Sequence, residues 1–158
     1  MTPPWIIRAA GVADAAAIAE LIRLAFAAQS RPTHPPPSAL KETAATILEH
    51  LEDGGGAVVD DGGVVVGALL WTEEDGGLYI GRLSVHPDHR RRGIASALMH
   101  EAEREARGQG LPRLWLGVRL ALDDNRRFFA AHGFTETKLH HHEGFAEPTW
   151  VTMERRFT

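Results

Sequence analysis

At 158 residues, with 44% hydrophobic and 24% charged side chains and a formal net charge of −4, the chain has the size and composition of one compact globular domain. No apolar run approaches the roughly 20 residues that cross a bilayer, and an acidic balance lacks the basic field that nucleic acids require, so neither membrane nor nucleic acid is an expected partner. The absence of cysteine excludes disulfides, thiolate zinc sites and thiol nucleophiles, and with no basic-then-apolar leader after Met1 a cytoplasmic location is expected.

Trp5 to Arg8 is a short β-prone stretch, and Ala13 to Ala28 carries Ile18, Leu21, Ile22, Ala25 and Phe26 at the spacing of an amphipathic helix. Gln29 to Ser38 contains Pro32 and Pro35 to Pro37, which forbid helix and ladder alike and predict a stiff loop. A second helix is expected over Ala39 to Leu51, stopped by Asp53 and the glycines after it. Ala57 to Asp60, Val64 to Trp71 and Leu78 to Val85 read as three strands. Asp61-Gly-Gly and Glu74-Asp-Gly-Gly between them supply the positive φ of tight hairpins. Helical periodicity returns from Arg91 to Arg107 through Ile94, Ala95, Leu98, Ala102 and Ala106, and ends at Gly108, Gly110 and Pro112. A strand over Arg113 to Arg119, a short helix over Asp124 to His132 and closing strands near Phe134 to His141 and Thr149 to Phe157 complete the order βααβββαβαββ. Hairpins together with a β-helix-β crossover argue an α/β or α+β fold with a mixed sheet, in one domain over residues 1–158.

Chemistry concentrates in Ser84 to Met99, SVHPDHRRRGIASALM, where three arginines of an acidic chain precede a glycine and a helix start. The first N–H groups of a helix have no partner within it and carry the positive end of its dipole, so they hold anions. Gly93 removes a Cβ from the approach, small Ala95 and Ser96 keep the first turn open, and arginines add charge-assisted hydrogen bonds. A pyrophosphate fits such a device; a solvated arginine cluster beside a turn glycine is the plainer alternative. Neither a Walker A lysine pattern nor G-x-G-x-x-G occurs.

Leu83-Ser84-Val85-His86-Pro87 followed by Arg90-Arg91-Arg92-Gly93-Ile94-Ala95 closely resembles the L-x-V-x-P and [QR]-x-x-G-x-[GA] signature of the GNAT superfamily of acetyl-CoA-dependent N-acetyltransferases. Asn125-Arg-Arg-Phe128-Phe129-Ala-Ala-His-Gly133-Phe134 is similar to that family's N-x-x-F-Y-x-x-x-G-F element, and the order of elements agrees along the whole chain. The resemblance implies a mostly antiparallel central sheet flanked by helices, with acetyl-CoA as co-substrate. It further implies that the backbone N–H groups of Arg91, Arg92, Gly93, Ala95 and Ser96, with Arg90 opening the loop and Ile94 within it, cradle the pyrophosphate. The backbone of Leu83, Ser84 and Val85 would run beside the pantetheine arm, with the Val85 N–H as oxyanion donor to the thioester carbonyl. Asn125 resembles the asparagine that bonds the cofactor arm, although Asp123, Asp124 and Asn125 are all good helix-cap types and Asp124 is the favoured cap. Phe129 stands where the family often has an acidic tyrosine, and it cannot protonate a departing thiolate.

The base is unassigned. Strand alternation places Tyr79, Gly81, Leu83 and Val85 on one face, and Tyr79 aligns with a position where some relatives carry glutamate; it is either a proton relay through water or a packing residue. Glu73 and Glu74 read as solvated turn charges. In His140-His141-His142-Glu143 strand alternation separates His141 from its neighbours, so the run makes no three-ligand metal set; His142 either borders the acceptor cleft as a proton acceptor or is a half-exposed strand histidine. By resemblance Arg31 to Ser38 forms another wall of that cleft, and Trp71, Tyr79, Phe145 and Trp150 could line it or simply pack. The expected activity is acetyl transfer to a primary amine of a small molecule or peptide by direct attack. The competing reading is a non-catalytic acyl-CoA-binding or regulatory domain, supported by Phe129, and a nucleotide- or metal-binding module is the remaining alternative. An exposed closing strand able to pair across a two-fold axis makes a homodimer the expected assembly.

Overall fold

A computed structural model describes residues 4–29 and 31–157; Ser30 of the expected proline loop and the leader reading at Met1 to Pro3 fall outside them. The elements follow the expected order: β1 (Ile6–Ala9), α1 (Ala15–Ala27), α2 (Ala44–Asp53), β2 (Gly55–Asp61), β3 (Val64–Glu74), β4 (Gly77–Val85), α3 (Ile94–Gly108), β5 (Arg113–Arg119), α4 (Asp123–Ala131), β6 (Thr135–His140) and β7 (Trp150–Arg156). They build one sheet in the order β1-β2-β3-β4-β5-β7-β6. Every neighbouring pair is antiparallel except β4 with β5, which the α3 crossover makes parallel.

The sheet is buried on both faces by different helices. On one, Ile18, Ala19, Leu21 and Ile22 of α1 and Ile47 of α2 pack on Val58, Ala68 and Leu70. On the other, Ile94, Leu98, Met99, Ala102 and Ala106 of α3 and Phe129 of α4 pack on Val59, Leu69, Leu78, Ile80, Leu114 and Leu116. Burying Ile94, Leu98 and Met99 contributes about 1.5–3 kcal/mol each, so α3 is fastened by its apolar stripe and its N-terminus is free to point elsewhere. Gly67 admits α3 at this distance: a Cβ there would lie 2.6 Å from Ile94 Cγ2.

Four local expectations change. The second helix is split, because Thr43 is an extended N-cap whose hydroxyl accepts from the Thr46 N–H at 3.3 Å, leaving only a 3-10 turn over Ser38–Lys41 ahead of it. Helix α3 begins at Ile94 rather than Arg91, since Arg91 and Gly93 have positive φ (65° and 78°). Asp124 is not the cap of α4: Leu122 holds that place and Asp124 pairs instead with Arg127 one turn on. Glu73 and Glu74 end β3, and the turn itself is Asp75 and Gly76, with φ of 55° and 73°.

Candidate active site

The site begins with an extra residue in β4. Ala68 faces Ser84 and Leu70 faces Gly81, so Leu69 opposes both Arg82 and Leu83. Arg82 accommodates this bulge at φ 57°. The bulge reverses side-chain parity, which corrects the expected face: Leu78 and Ile80 before it and Leu83 and Val85 after it turn toward α3, whereas Tyr79 and Gly81 point to the opposite face. It also bends β4 away from β5. The two strands pair only at Leu78 with Leu114 and Tyr79 with Trp115, and beyond that they part. Between them lies a cavity of about 500 Å³.

Backbone donors face this gap. The His86 N–H bonds the Val66 carbonyl on β3 at 2.8 Å, and successive strand N–H groups point in opposite directions, so the Val85 N–H is turned from β3 into the cleft. Leu83, Ser84, Val85, Arg90 and Ala95 line it from this side, and Asn125, Phe128 and Phe129 from α4. Asn125 makes no side-chain hydrogen bond among the described residues, so its amide remains free for a ligand. Arg91, Arg92, Gly93, Ile94 and Ser96 are outside the cavity wall. They form an open ledge at its mouth. The Ala97 N–H is the first of α3 to find a partner, the Gly93 carbonyl at 3.0 Å, while those of Ile94, Ala95 and Ser96 have none among the described residues. Nothing lies within 4 Å of where a Gly93 Cβ would stand. Glycine is therefore required there by its positive φ, with open space in front of it. The Ile94 side chain is in the core and offers only its backbone. Ser96 is turned to α4: its hydroxyl donates to His132 Nε2 at 3.1 Å, because the opposite ring nitrogen must donate to the Phe128 carbonyl at 2.9 Å.

Extended ligand geometry fits this arrangement. A pantetheine-like arm is long and amide-bearing, as is the gap between two strands whose edges are unpaired, and a diphosphate suits unpartnered N–H groups beside Arg90.

On the other face the cleft is walled by Tyr79, Arg82, Arg119, His142 and Trp150. The Tyr79 ring leans on Trp115 with centroids 4.6 Å apart. Burial pushes its phenol up, against the opposing charge of Arg82, so the hydroxyl keeps its proton and acts as a donor. Arg82 is held from behind, donating to Glu42 Oε2 at 2.9 Å and to the Ser38 hydroxyl at 3.1 Å. Glu42 is nearly sealed from solvent. Burial raises its carboxyl, but hydrogen bonds from Thr46 and Arg82 and the nearby His50 outweigh this and hold it below the usual carboxylate range. Arg119 donates to the Pro35 and Pro36 carbonyls, at 2.5 and 3.4 Å, and so braces the proline loop against β5.

His142 lies just past the end of β6, beside Thr149. Thr149 Oγ1 accepts the His142 N–H at 3.0 Å and also touches its Nδ1. By rotating, this hydroxyl can donate to Nδ1 or accept from it, so the neutral ring can present either tautomer to the cleft. Burial, then the charge of Arg119, holds His142 below the ordinary histidine value. It is neutral near neutrality, as a proton acceptor must be. Among the described residues no three His, Asp or Glu side chains come together as a metal-holding group. His140 instead stacks on Trp150, centroids 3.9 Å apart, and its Nε2 meets the Thr152 hydroxyl at 2.7 Å.

Of the aromatics suggested by sequence, Tyr79 and Trp150 reach the cleft. Trp71 packs in the core and borders a separate groove, and Phe145 is exposed outside the cavity wall. Arg82, Arg119 and Thr149 were not anticipated. Their partners are distant in sequence or carry no motif, and the one readable signal was Arg82, the single charged residue inside the otherwise uncharged β4.

No curated protein matches the chain in sequence. Solved structures match it in fold. PaiA N-acetyltransferase of Thermoplasma acidophilum, solved in complex with coenzyme A, is 17% identical with a TM-score of 0.78, covering 99% of this chain and 100% of that one. YncA of Salmonella typhimurium, solved with its cofactor acetyl-CoA, is 21% identical with a TM-score of 0.73, over 96% and 93%. The ribosomal-protein-S18-alanine N-acetyltransferase of Escherichia coli is 17% identical with a TM-score of 0.77, again over 96% and 93%. At these identities the likeness is one of fold. Membership rests on the sequence itself: residues 16–134, from α1 through α4 to Phe134, match the model of the acetyltransferase (GNAT) family, and the chain belongs to that family.

Proposed function

We propose that this acetyltransferase-family chain, acting as one domain over residues 1–158, moves an acetyl group from acetyl-CoA to a primary amine of a small molecule or peptide. The observation that carries the reading is the parting of β4 from β5, with the Val85 N–H turned into the gap and the unpartnered N–H groups of α3 at its mouth. Bound acetyl-CoA would supply an activated thioester. Ile94, Ala95 and Ser96 would hold the diphosphate through their N–H groups, with Arg90 beside them, and the Asn125 amide would bond the arm. The Val85 N–H would meet negative charge as it grows on the carbonyl oxygen during attack, a contribution of several kcal/mol in water-excluded sites, about 3 for one such donor.

In the transfer an N–C bond replaces the C–S bond. An acceptor arriving as an ammonium ion first gives one proton to a base, for which neutral His142 is the group in the cleft, and a second proton then leaves nitrogen as the sulfur acquires one. Phe129 has no proton to give, so Tyr79, which keeps its own, or water serves the departing sulfur; a thiol of pKa about 8.5 needs little help. Phe129 is also what favours the second reading, a binding or regulatory domain that holds acyl-CoA without turning it over. Measurement of CoA binding by calorimetry and of thiol release with a panel of amines separates the two. Turnover with any amine removes the binding-only reading, tight binding without turnover across the panel favours it, and no CoA binding removes both. A cytoplasmic setting agrees with the lack of cysteine and with there being no helix, among the described residues, long and apolar enough to cross a membrane. A homodimer is supported by β6, an edge strand with mostly exposed side chains.

A further inference from the structure

The charges of the cleft are one-sided. Arg82, Arg90 and Arg119 line it, and no aspartate or glutamate does among the described residues. An acceptor rich in amines, such as a polyamine or an aminoglycoside, would meet cations with no carboxylate to receive its remaining charges.

The three arginines are not equivalent. Arg82 is neutralised by Glu42 behind it. Arg90 precedes the α3 ledge and leans on the Ala28 carbonyl at 3.3 Å. Arg119 is half-buried, bonds only the two proline carbonyls and pairs with no carboxylate among the described residues, which leaves donors of its five-donor fork unused. It cannot serve the diphosphate ledge, because alternation along β5 sends Leu116 and Val118 into the α3 face and Arg119 to the other. There its cross-strand neighbour is Trp150, whose ring lies beside Gly117, 3.1 Å from where a Cβ would stand. Burial of the guanidinium without a counter-ion lowers its pKa, a cost that an anionic ligand would relieve.

We propose that Arg119 reads a carboxylate on the acceptor, so that the substrate class is the free α-amino acid with an apolar side chain, its carboxylate on Arg119 and its side chain against the Trp150 ring. A planar carboxylate matches the guanidinium fork. The neighbouring amine then lies in the same cleft as the Val85 N–H and His142. This rests on the acetyl-transfer reading above.

The test uses pairs that differ only in the carboxylate: L-phenylalanine against phenethylamine, and L-methionine against 3-(methylthio)propylamine. Thiol release is followed for each, together with its binding to CoA-loaded protein by tryptophan fluorescence, and CoA affinity is measured separately by calorimetry. The amino acid of each pair is expected to be preferred by about 30-fold or more in kcat/KM, or in affinity if turnover is absent, the value of a charge-assisted hydrogen-bonded pair. Arg119→Gln should bring that ratio to within about 3-fold of unity while CoA affinity is unchanged, and Arg119→Lys should keep part of it. The ratio is the discriminating readout, since a loosened proline loop would weaken both members of a pair alike. Equal use of both members by the unmodified protein overturns the proposal. So does a preference that survives Arg119→Gln, or failure of every member to bind a protein that binds CoA. Failure to bind CoA overturns the acetyl-transfer reading instead, and the carboxylate preference is then judged on binding to the free protein.

Discussion

Replacing Gly93 by glutamate puts the α3 ledge to its most direct test. Gly93 has φ 78°, and a side chain there meets nothing within 4 Å, so the folding cost is conformational alone. Holding a residue with a Cβ in the left-handed region costs about 1–2 kcal/mol, which for a chain of this size lowers Tm by about 2–8 °C. The binding cost is electrostatic. A carboxylate about 5 Å from one phosphate charge, at an effective dielectric near 20, opposes it by about 3 kcal/mol, roughly 100-fold in Kd, and a diphosphate carries more than one charge. Gly93→Ala separates the two effects, since it has the same backbone strain and no charge. Calorimetry with CoA, alongside thermal melting, should find both variants folded with similar Tm, Gly93→Ala weakened by less than about 10-fold and Gly93→Glu by about 100-fold or more. A folded Gly93→Glu protein with unaltered CoA affinity would show that the diphosphate does not sit at α3.

Phe129 is buried against Phe128 and Phe134 yet also borders the cleft, so Phe129→Tyr places a hydroxyl at the cleft wall. If protonation of the departing sulfur limits turnover, kcat should rise by up to about 10²-fold; an unchanged rate would assign that proton to Tyr79 or water. Because burial and Arg119 both hold His142 below the ordinary histidine value, its basic form persists to lower pH and the acid limb of kcat/KM should lie below that value. His142→Gln should abolish the limb, and a limb that remains would exclude His142 as the base. Glu42→Gln removes the carboxylate that anchors Arg82 and should cost about 1–3 kcal/mol in urea unfolding at neutral pH, less than a fully buried pair because Arg82 is partly wet. Since the folded state holds Glu42 below its ordinary value, its stabilisation is complete above that value and disappears as pH falls through the folded one. The two proteins should therefore converge in acid, and a constant difference between them would refute this.

Signals that are local in the chain were legible from the residues alone. Hydrophobic period located α1 and α3, and β-prone runs between turn residues located the strands; Asp75-Gly76 and Gly62-Gly63 announced their hairpins, and Arg90 to Ser96 announced a helix start whose first N–H groups find no partner among the described residues. Where two local signals competed, the reading slipped. Thr43 capped α2 from within a stretch that looks continuously helical, and positive φ at Arg91 delayed α3 by three residues. The β4 bulge left a mark that simple alternation passes over: the apolar positions change from Leu78 and Ile80 to Leu83 and Val85 across Gly81 and Arg82, where Leu69 opposes two residues.

The residue string determined the element order, the acidic cysteine-free surface and the ledge at α3, since each depends on propensity, periodicity or composition within a few neighbouring positions. Only tertiary structure decided where β4 leaves β5, that Tyr79 and Val85 face opposite ways, and that Arg119, His142 and Trp150 share a wall. Those facts depend on register and on contacts such as Arg82 with Glu42 and Arg119 with Pro35, across 40 and 84 positions of chain. Closing loops of that length costs entropy that no single local segment can reveal, and it is met only when the whole sheet forms.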